Sequence, residues 1–274
     1  MSNCVDFYRS AARTEHGFHT GGAVVVGLLS FFFALTATAQ MSAPQPSGRA
    51  TATVSAMEPP VMDNQIFAHV LLDQFEDRTN GQDNELRWDG EAWLGTDMNK
   101  LWLRSEGLSN ANKVSDGDLE AFYDRPIPHM RYFDWQGGMR EDIDSYPIRT
   151  WAAVGIEGLA PYYFELQPTF YTRDGGHIAG RVTASYDLLL TQRWIVQPEA
   201  EFNLYNKDDP ARQIGSGLSD LDTGVRLRYE ISRKFGPYVG FAYNGKYGNT
   251  ASYARQARET TSDPRFVFGL RVWY

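Results

Sequence analysis

The chain has 274 residues, 26 basic and 34 acidic side chains, and a formal net charge of −8. That balance argues against nucleic acid as a partner, which a basic patch would attract. A single cysteine, Cys4, excludes a disulfide framework and a cysteine-ligated zinc site, and 14% aromatic residues with 25 glycines favour β structure over helix.

Residues 1–39 read as a secretory signal peptide. Arg9 and Arg13, with His16 and His19, precede an apolar run from Ala23 to Leu35, and Ala37-Thr38-Ala39 places small residues at a cleavage site. The run is shorter than the roughly 20 apolar residues a spanning helix needs. Cleavage after Ala39 removes Cys4, so a cysteine nucleophile is excluded as well. It leaves the net charge unchanged, because Arg9 and Arg13 balance Asp6 and Glu15. Residues 40–62 read as a disordered linker: Pro44, Pro46, Pro59 and Pro60 sit among Ala, Ser, Thr and Met, with too little apolar surface to fold alone. No later stretch is long and apolar enough for a transmembrane helix. The mean hydropathy of −0.43 is compatible with a barrel, half of whose wall is polar.

Residues 63–274 read as an all-β, transmembrane, antiparallel up-and-down β-barrel of about twelve strands. The evidence is alternation, since successive side chains of a strand face opposite sides. In Leu221–Ile231, Leu221, Thr223, Val225, Leu227, Tyr229 and Ile231 form an outward row, and Asp222, Arg226, Arg228 and Glu230 point inward. Val196–Tyr205 repeats this with Gln197, Glu199, Glu201 and Asn203 inward, and Phe164–Tyr171 with Glu165, Gln167 and Thr169 inward. Ile178–Leu188 has Arg181, Thr183, Ser185 and Asp187 inward, and Val239, Phe241, Tyr243 and Tyr247 form another outward row. The last strand, Arg265–Tyr274, sets Phe266, Phe268, Leu270, Val272 and Tyr274 against Arg265 and Arg271 and ends on an aromatic ring. Six such segments in succession are a strong signal.

The connections 159–162, 191–194 and 232–237 are short, whereas 206–220 and 248–264 are long and polar. With the C-terminus in the periplasm, the long loops fall outside and the short turns inside, which requires an even number of strands. Pro168 and Pro198 remove ladder donors and are expected at bulges. The lumen face carries both signs of charge: Glu157, Glu165, Glu199, Glu201 and Glu230 oppose Arg181, Arg226, Arg228, Arg271 and Lys246. Isolated buried charge is costly, so these groups must pair. A plugged interior cross-braced by salt bridges is favoured over an open selective path.

Enzyme motifs fail. There is no G-x-S-x-G, H-E-x-x-H or Walker glycine loop, and Gly215-Ser216-Gly217 precedes a strand rather than a helix. His69, His129 and His177 have no serine two residues away, as a barrel lipase would need. The expectation is therefore no enzyme. Soft ligands are sparse. Met57 and Met62 flank Glu58-Pro59-Pro60, His129-Met130 is an adjacent pair in a predicted periplasmic turn, and His69 shares a predicted lumen face with Asp73. Thioether and imidazole groups select copper, chiefly Cu(I), so these five residues (Met57, Met62, His69, His129 and Met130) are the candidate metal ligands. His69 and Asp73 lie about 13 Å apart along a strand, too far to hold one ion unaided. Each candidate also has a plain alternative as linker filler, turn residue or lumen hydrogen-bonder.

Several blocks of the chain carry a family resemblance: LLDQFEDR (71–78), LRWDGEAWLG (86–95), NKLWLRSEG (99–107), RTWAAVGIEGLAPYYFE (149–165), the long block 186–231, and YARQA (253–257). On these the chain resembles the copper resistance protein B family. The resemblance implies a barrel in the Gram-negative outer membrane, in contact with its lipid and facing the periplasm. It implies copper as the bound ion, and copper tolerance by export or sequestration alongside periplasmic copper-handling proteins. One departure stands out: family members often carry a long Met- and His-dense segment before the barrel, whereas residues 40–62 hold three methionines and no histidine. The competing expectation is a general small-solute channel or structural barrel without metal specificity.

Overall fold

The computed structural model describes residues 65–110, 113–144 and 147–274. The expected signal peptide and the linker, with Met57 and Met62, lie outside the described residues. The wall strands are β1 (Phe67–Thr79), β2 (Asn84–Gly95), β3 (Lys100–Asn110), β4 (Lys113–Pro126), β5 (Phe133–Asp142), β6 (Arg149–Ala160), β7 (Phe164–Arg173), β8 (His177–Ser185), β9 (Leu188–Leu189), β10 (Trp194–Tyr205), β11 (Gly217–Tyr229), β12 (Phe235–Lys246) and β13 (Ser262–Trp273). All pairings are antiparallel between neighbours, and β1 also pairs with β13, so the sheet closes on itself. Both β8 and β9 pair with β10, which makes them two pieces of one wall strand and the barrel twelve-stranded. Closure removes the sheet edges, the condition for strands to cross a bilayer.

The alternation places the faces as expected. Phe241 is 69% exposed on the outside, whereas Val267, opposite Gly240 on the next strand, is fully buried inside. Tyr274 is tied back to Val70 by two backbone hydrogen bonds of 3.0 and 2.8 Å, so the first and last strands meet at one end of the barrel. That end carries the turns at 96–99, 127–132, 161–163, 190–193 and 230–234. The opposite end carries both long loops, 206–216 and 247–261, as expected, but also the short connections 80–83 and 174–176. Loop length therefore marks the ends only through two of the connections.

Three details differ from the sequence reading. Neither proline marks a bulge. Pro168 and Pro198 keep register with Val182 and Val225, and their missing N–H groups face gaps in the ladder instead. For Pro198 the gap is the break between β8 and β9, where its carbonyl accepts from the Tyr186 N–H at 3.1 Å. For Pro168 it is the interruption between the pairs Gly155–Thr169 and Gly158–Leu166. The bulge that matters is in β1, where register slips between Leu72 and Gln74 against β2 and between Leu72 and Phe75 against β13. Asp73 is the extra residue, and beyond it the phase reverses, so Gln74, Glu76 and Arg78 are the buried set.

The second long loop also contains a helix, α1 (Gly248–Ala257), where only a polar loop was expected. Its buried Thr250, Ala251 and Ala254 pack it down, and Thr250 Oγ1 accepts from the Gly215 N–H of the other long loop at 2.8 Å. Finally, the lumen is not wholly polar. Trp102, Phe122, Trp151 and Tyr171 form a buried aromatic cluster along β3–β7. Guanidinium groups cover these rings: Arg104 lies 5.0 Å from Trp102 and 5.3 Å from Phe122, and Arg140 lies 5.0 Å from Tyr171. Planar cations stack on aromatic faces at little desolvation cost, which lets both share one interior.

Candidate functional site

The lumen is crossed by ion pairs between distant strands. Arg226 of β11 donates to Glu76 of β1 at 2.8 Å and to Glu199 of β10 at 3.0 Å. Arg78 of β1 reaches Asp222 of β11 at 2.7 Å. Arg181 of β8 meets Glu106 of β3 and lies 2.8 Å from Asp118 of β4 and 3.4 Å from Glu201 of β10. The expected cross-bracing is present, with most of the expected groups in it. Glu157 holds Arg104, Asp73 holds Arg271, and Arg228 donates to Asp187 at 2.6 Å. Glu165 stays in the lumen but accepts from the Ser185 hydroxyl at 3.0 Å instead of pairing with a base, and two expected members lie elsewhere. Glu230 follows the end of β11, and Lys246 turns to Glu259 of the α1 loop at 2.9 Å, because both sit where the strand gives way to a connection.

Beside these braces lies a chamber of about 240 Å³. Asp73, Asp89, Glu91, Glu157, Glu165 and Glu199 line it together with the four carboxyl groups around Arg181, namely Glu106, Asp118, Glu120 and Glu201. Only Arg104, Arg181 and Arg271 supply cationic side chains to the same wall. Ten carboxyl groups against three guanidinium groups give the chamber an acidic lining, into which Arg87, Arg140 and Arg226 reach from outside to pair with Glu106, Glu201, Asp118 and Glu199; oxygen donors of this kind suit divalent ions rather than soft monovalent ones. The β1 bulge contributes directly, since it turns Asp73 into the chamber one residue before Gln74 takes up its own inward position. Sequence reasoning passed over Asp89, Glu91, Glu106, Asp118 and Glu120. Their signal was acidic residues at every second position, as in Asp89-Gly90-Glu91 and Asp116-Gly117-Asp118-Leu119-Glu120.

The candidate metal ligands are not gathered into one site. His69 is on β1, its ring stacked between Trp93 at 6.0 Å and Trp273 at 5.8 Å. Its Nδ1 is buried and has no hydrogen-bond partner among the described residues. Asp73 pairs with Arg271, so His69 and Asp73 serve different neighbours. His129 and Met130 are exposed in the β4–β5 turn, at the same barrel end as the start of β1 but three strands further round. His129 holds a left-handed φ of 74°, and the Met130 N–H closes the turn on Ile127 at 3.1 Å. Among the described residues, no three His, Cys, Asp or Glu side chains are grouped closely enough to hold a metal ion.

Comparison with known proteins adds a further finding. The family model "Copper resistance protein B precursor (CopB)" matches residues 66–274. The copper resistance protein B homolog of Pseudomonas syringae pv. tomato is 39% identical over 214 residues, 78% of this chain and 72% of that protein. Copper resistance protein B of Escherichia coli is 38% identical over 214 residues, with the same coverage of 78% and 72%. Among solved structures, the NanC porin aligns with 75% of this chain and 99% of its own at a TM-score of 0.48 and 12% identity.

Proposed function

Because the chain belongs to the copper resistance protein B family, we propose that it is an outer-membrane barrel that takes copper ions as cargo and supports copper tolerance by exporting or sequestering them. The role is binding and passage rather than catalysis. The observation that carries this reading is the carboxyl-rich chamber inside the wall. A barrel stabilised only by its own bracing needs acids and bases in balance, whereas the ten carboxyl groups of this chamber meet six guanidinium groups even when Arg87, Arg140 and Arg226 outside the lining are counted, and Asp89 and Glu165 are in no ion pair among the described residues. Carboxylates accept Cu(II).

The soft ligands complete the picture. Met57 and Met62, which precede the barrel in sequence, His129 and Met130 on a turn, and His69 just inside β1 are dispersed capture points for copper delivered from periplasmic copper-handling proteins. Their donor atoms suit Cu(I). The dispersal fits transient hand-over better than a store.

The test is copper titration of the full chain beside Asp73→Asn/Glu165→Gln/Glu199→Gln, and beside Met57→Ala/Met62→Ala/His129→Ala/Met130→Ala, with copper tolerance of a complemented deletion strain. The first set is expected to lose Cu(II) binding and the second to weaken Cu(I) capture. Unaltered copper tolerance on deletion, with unselective conductance in a planar bilayer, would instead establish a general small-solute channel.

A further inference from the structure

Four side chains close a ring of alternating charge across the lumen. Arg87 of β2 lies 3.5 Å from Glu106 of β3 and 3.6 Å from Glu201 of β10. Arg181 of β8 meets the same Glu106 and lies 3.4 Å from the same Glu201. The strands on the two sides of this ring are far apart in the wall, β2 and β3 against β8 and β10, so the ring spans the interior rather than running along it. All four side chains are less than one-fifth exposed. Arg181 is further pinned by Asp118 at 2.8 Å, and Asp118 in turn holds Arg140 of β5 at 3.2 Å.

The ring and its Arg140 extension connect the walls of two spaces. Glu106, Arg181 and Glu201 line the chamber of about 240 Å³. Arg140, which Asp118 links to Arg181, lines a smaller cavity of about 40 Å³ under the 206–216 loop, which Arg212 ties to Asp142 at 2.9 Å. The two cavities have no lining residue in common. The other two arginines of the chamber leave this boundary alone: Arg271 serves Asp73 on the adjacent strand, and Arg104 serves Glu91 and Glu157.

We propose that the Arg87–Glu106–Arg181–Glu201 ring is the permeation gate of the barrel, with Arg181 as the group whose displacement opens it. An alternating ring is stable when closed because each charge has two opposite neighbours. It is also selective when opened. If Arg181 swings away, Glu106, Glu201, Asp118 and Glu120 face the gap with one fewer cation among them, and a ring of carboxylates passes cations and repels anions. The inference deepens the copper reading by locating the barrier on the route, but its barrier function does not depend on which cation travels.

The experiment uses the full chain reconstituted in a planar bilayer under a KCl gradient, with folding verified by heat-modifiable gel mobility. Arg181→Gln is expected to raise single-channel conductance several-fold and to move the reversal potential toward that of a cation-selective pore. Arg181→Lys, which keeps the charge, is expected to stay near the unmodified protein. A folded Arg181→Gln protein with unchanged conductance and reversal potential overturns the gate. If Arg181→Gln does not fold, Arg87→Gln opens the same ring from the other side and is read by the same criterion. Loss of copper binding or tolerance is measured separately. Failure of the copper reading therefore leaves the KCl result standing, and failure of the gate leaves the copper titration standing.

Discussion

Glu76 is the most deeply buried carboxylate of the cross-lumen network, and its removal should be expensive. Its side chain is fully buried, and it accepts from Arg78 Nε at 2.8 Å and from Arg226 Nε and Nη2 at 2.8 and 2.9 Å. Each such charge-assisted bond contributes about 1.5–3 kcal/mol. Glu76→Ala does not lose all three in full, because Arg226 retains Glu199 and Gln74, and Arg78 retains Asp222. What remains is two buried guanidinium groups each short of a partner, a situation that costs about 3–5 kcal/mol. The assay is urea unfolding of the protein in lipid vesicles, followed by tryptophan fluorescence. With a slope of about 1–3 kcal/mol/M, the midpoint should fall by roughly 1–5 M. Glu259→Ala is the comparison. Its pair with Lys246 is half-exposed on the loop and should contribute only about 0.2–1 kcal/mol. If Glu76→Ala unfolds within about 1 kcal/mol of the unmodified protein, the lumen network is not what braces the wall.

Three further outcomes follow from other parts of the structure. Phe241→Arg places a cation on the outermost apolar row, where Phe241 is 69% exposed and packs edge-on against Phe266 at 5.5 Å; vesicle insertion should weaken by about 2–4 kcal/mol if the position is near mid-bilayer. Gly138→Ala puts a methyl group 1.9 Å from the Ala121 carbonyl oxygen and should cost about 1–3 kcal/mol, whereas Gly180→Ala meets only the Thr169 carbonyl oxygen at 3.9 Å and should change unfolding by less than about 0.5 kcal/mol. The Asp208 carboxyl is held below its ordinary value of 3.8 by the Ser216 N–H and then by the Asn249 amide. The folded value lies below the unfolded one, so the tie between the two long loops is fully present above pH 3.8 and is lost as pH falls through the depressed value. An NMR titration of the Asp208 carboxyl carbon checks this, and a midpoint at or above 3.8 refutes it.

Which residues face inward was legible wherever one strand kept strict alternation, because burial of side chains in a closed wall follows the two-residue period alone. Asp222, Arg226 and Arg228 of β11, and Gln197 and Glu201 of β10, are buried for that reason. The β1 strand broke the rule. His69 and Asp73 were placed on one face correctly, but a single extra residue then moved Gln74, Glu76 and Arg78 inward, and the period gives no warning of a bulge.

Partner choice was illegible for a different reason. Arg226 finds Glu76 across 150 residues and Arg271 finds Asp73 across 198, distances over which only the closure and stagger of the barrel decide who meets whom. The Arg87–Glu106–Arg181–Glu201 ring draws on four strands, β2, β3, β8 and β10, and its members are scattered as widely in sequence. Alternation could mark each of the four as inward, but only the closed geometry makes them a ring. The same reasoning explains the chamber. Its acids were visible as period-two pairs on separate strands, yet their excess over arginine becomes a property of one space only when the wall folds those pairs to a common level. A function carried by summed charge in a lumen therefore depends on the register of the whole barrel more than on any one residue. A one-residue deletion of Asp73 should accordingly heal the bulge, since Leu72 and Gln74 already face the consecutive residues Gly90 and Asp89; it should keep the Glu76–Arg226 brace in register and cost the chamber one carboxylate, as Asp73→Asn does.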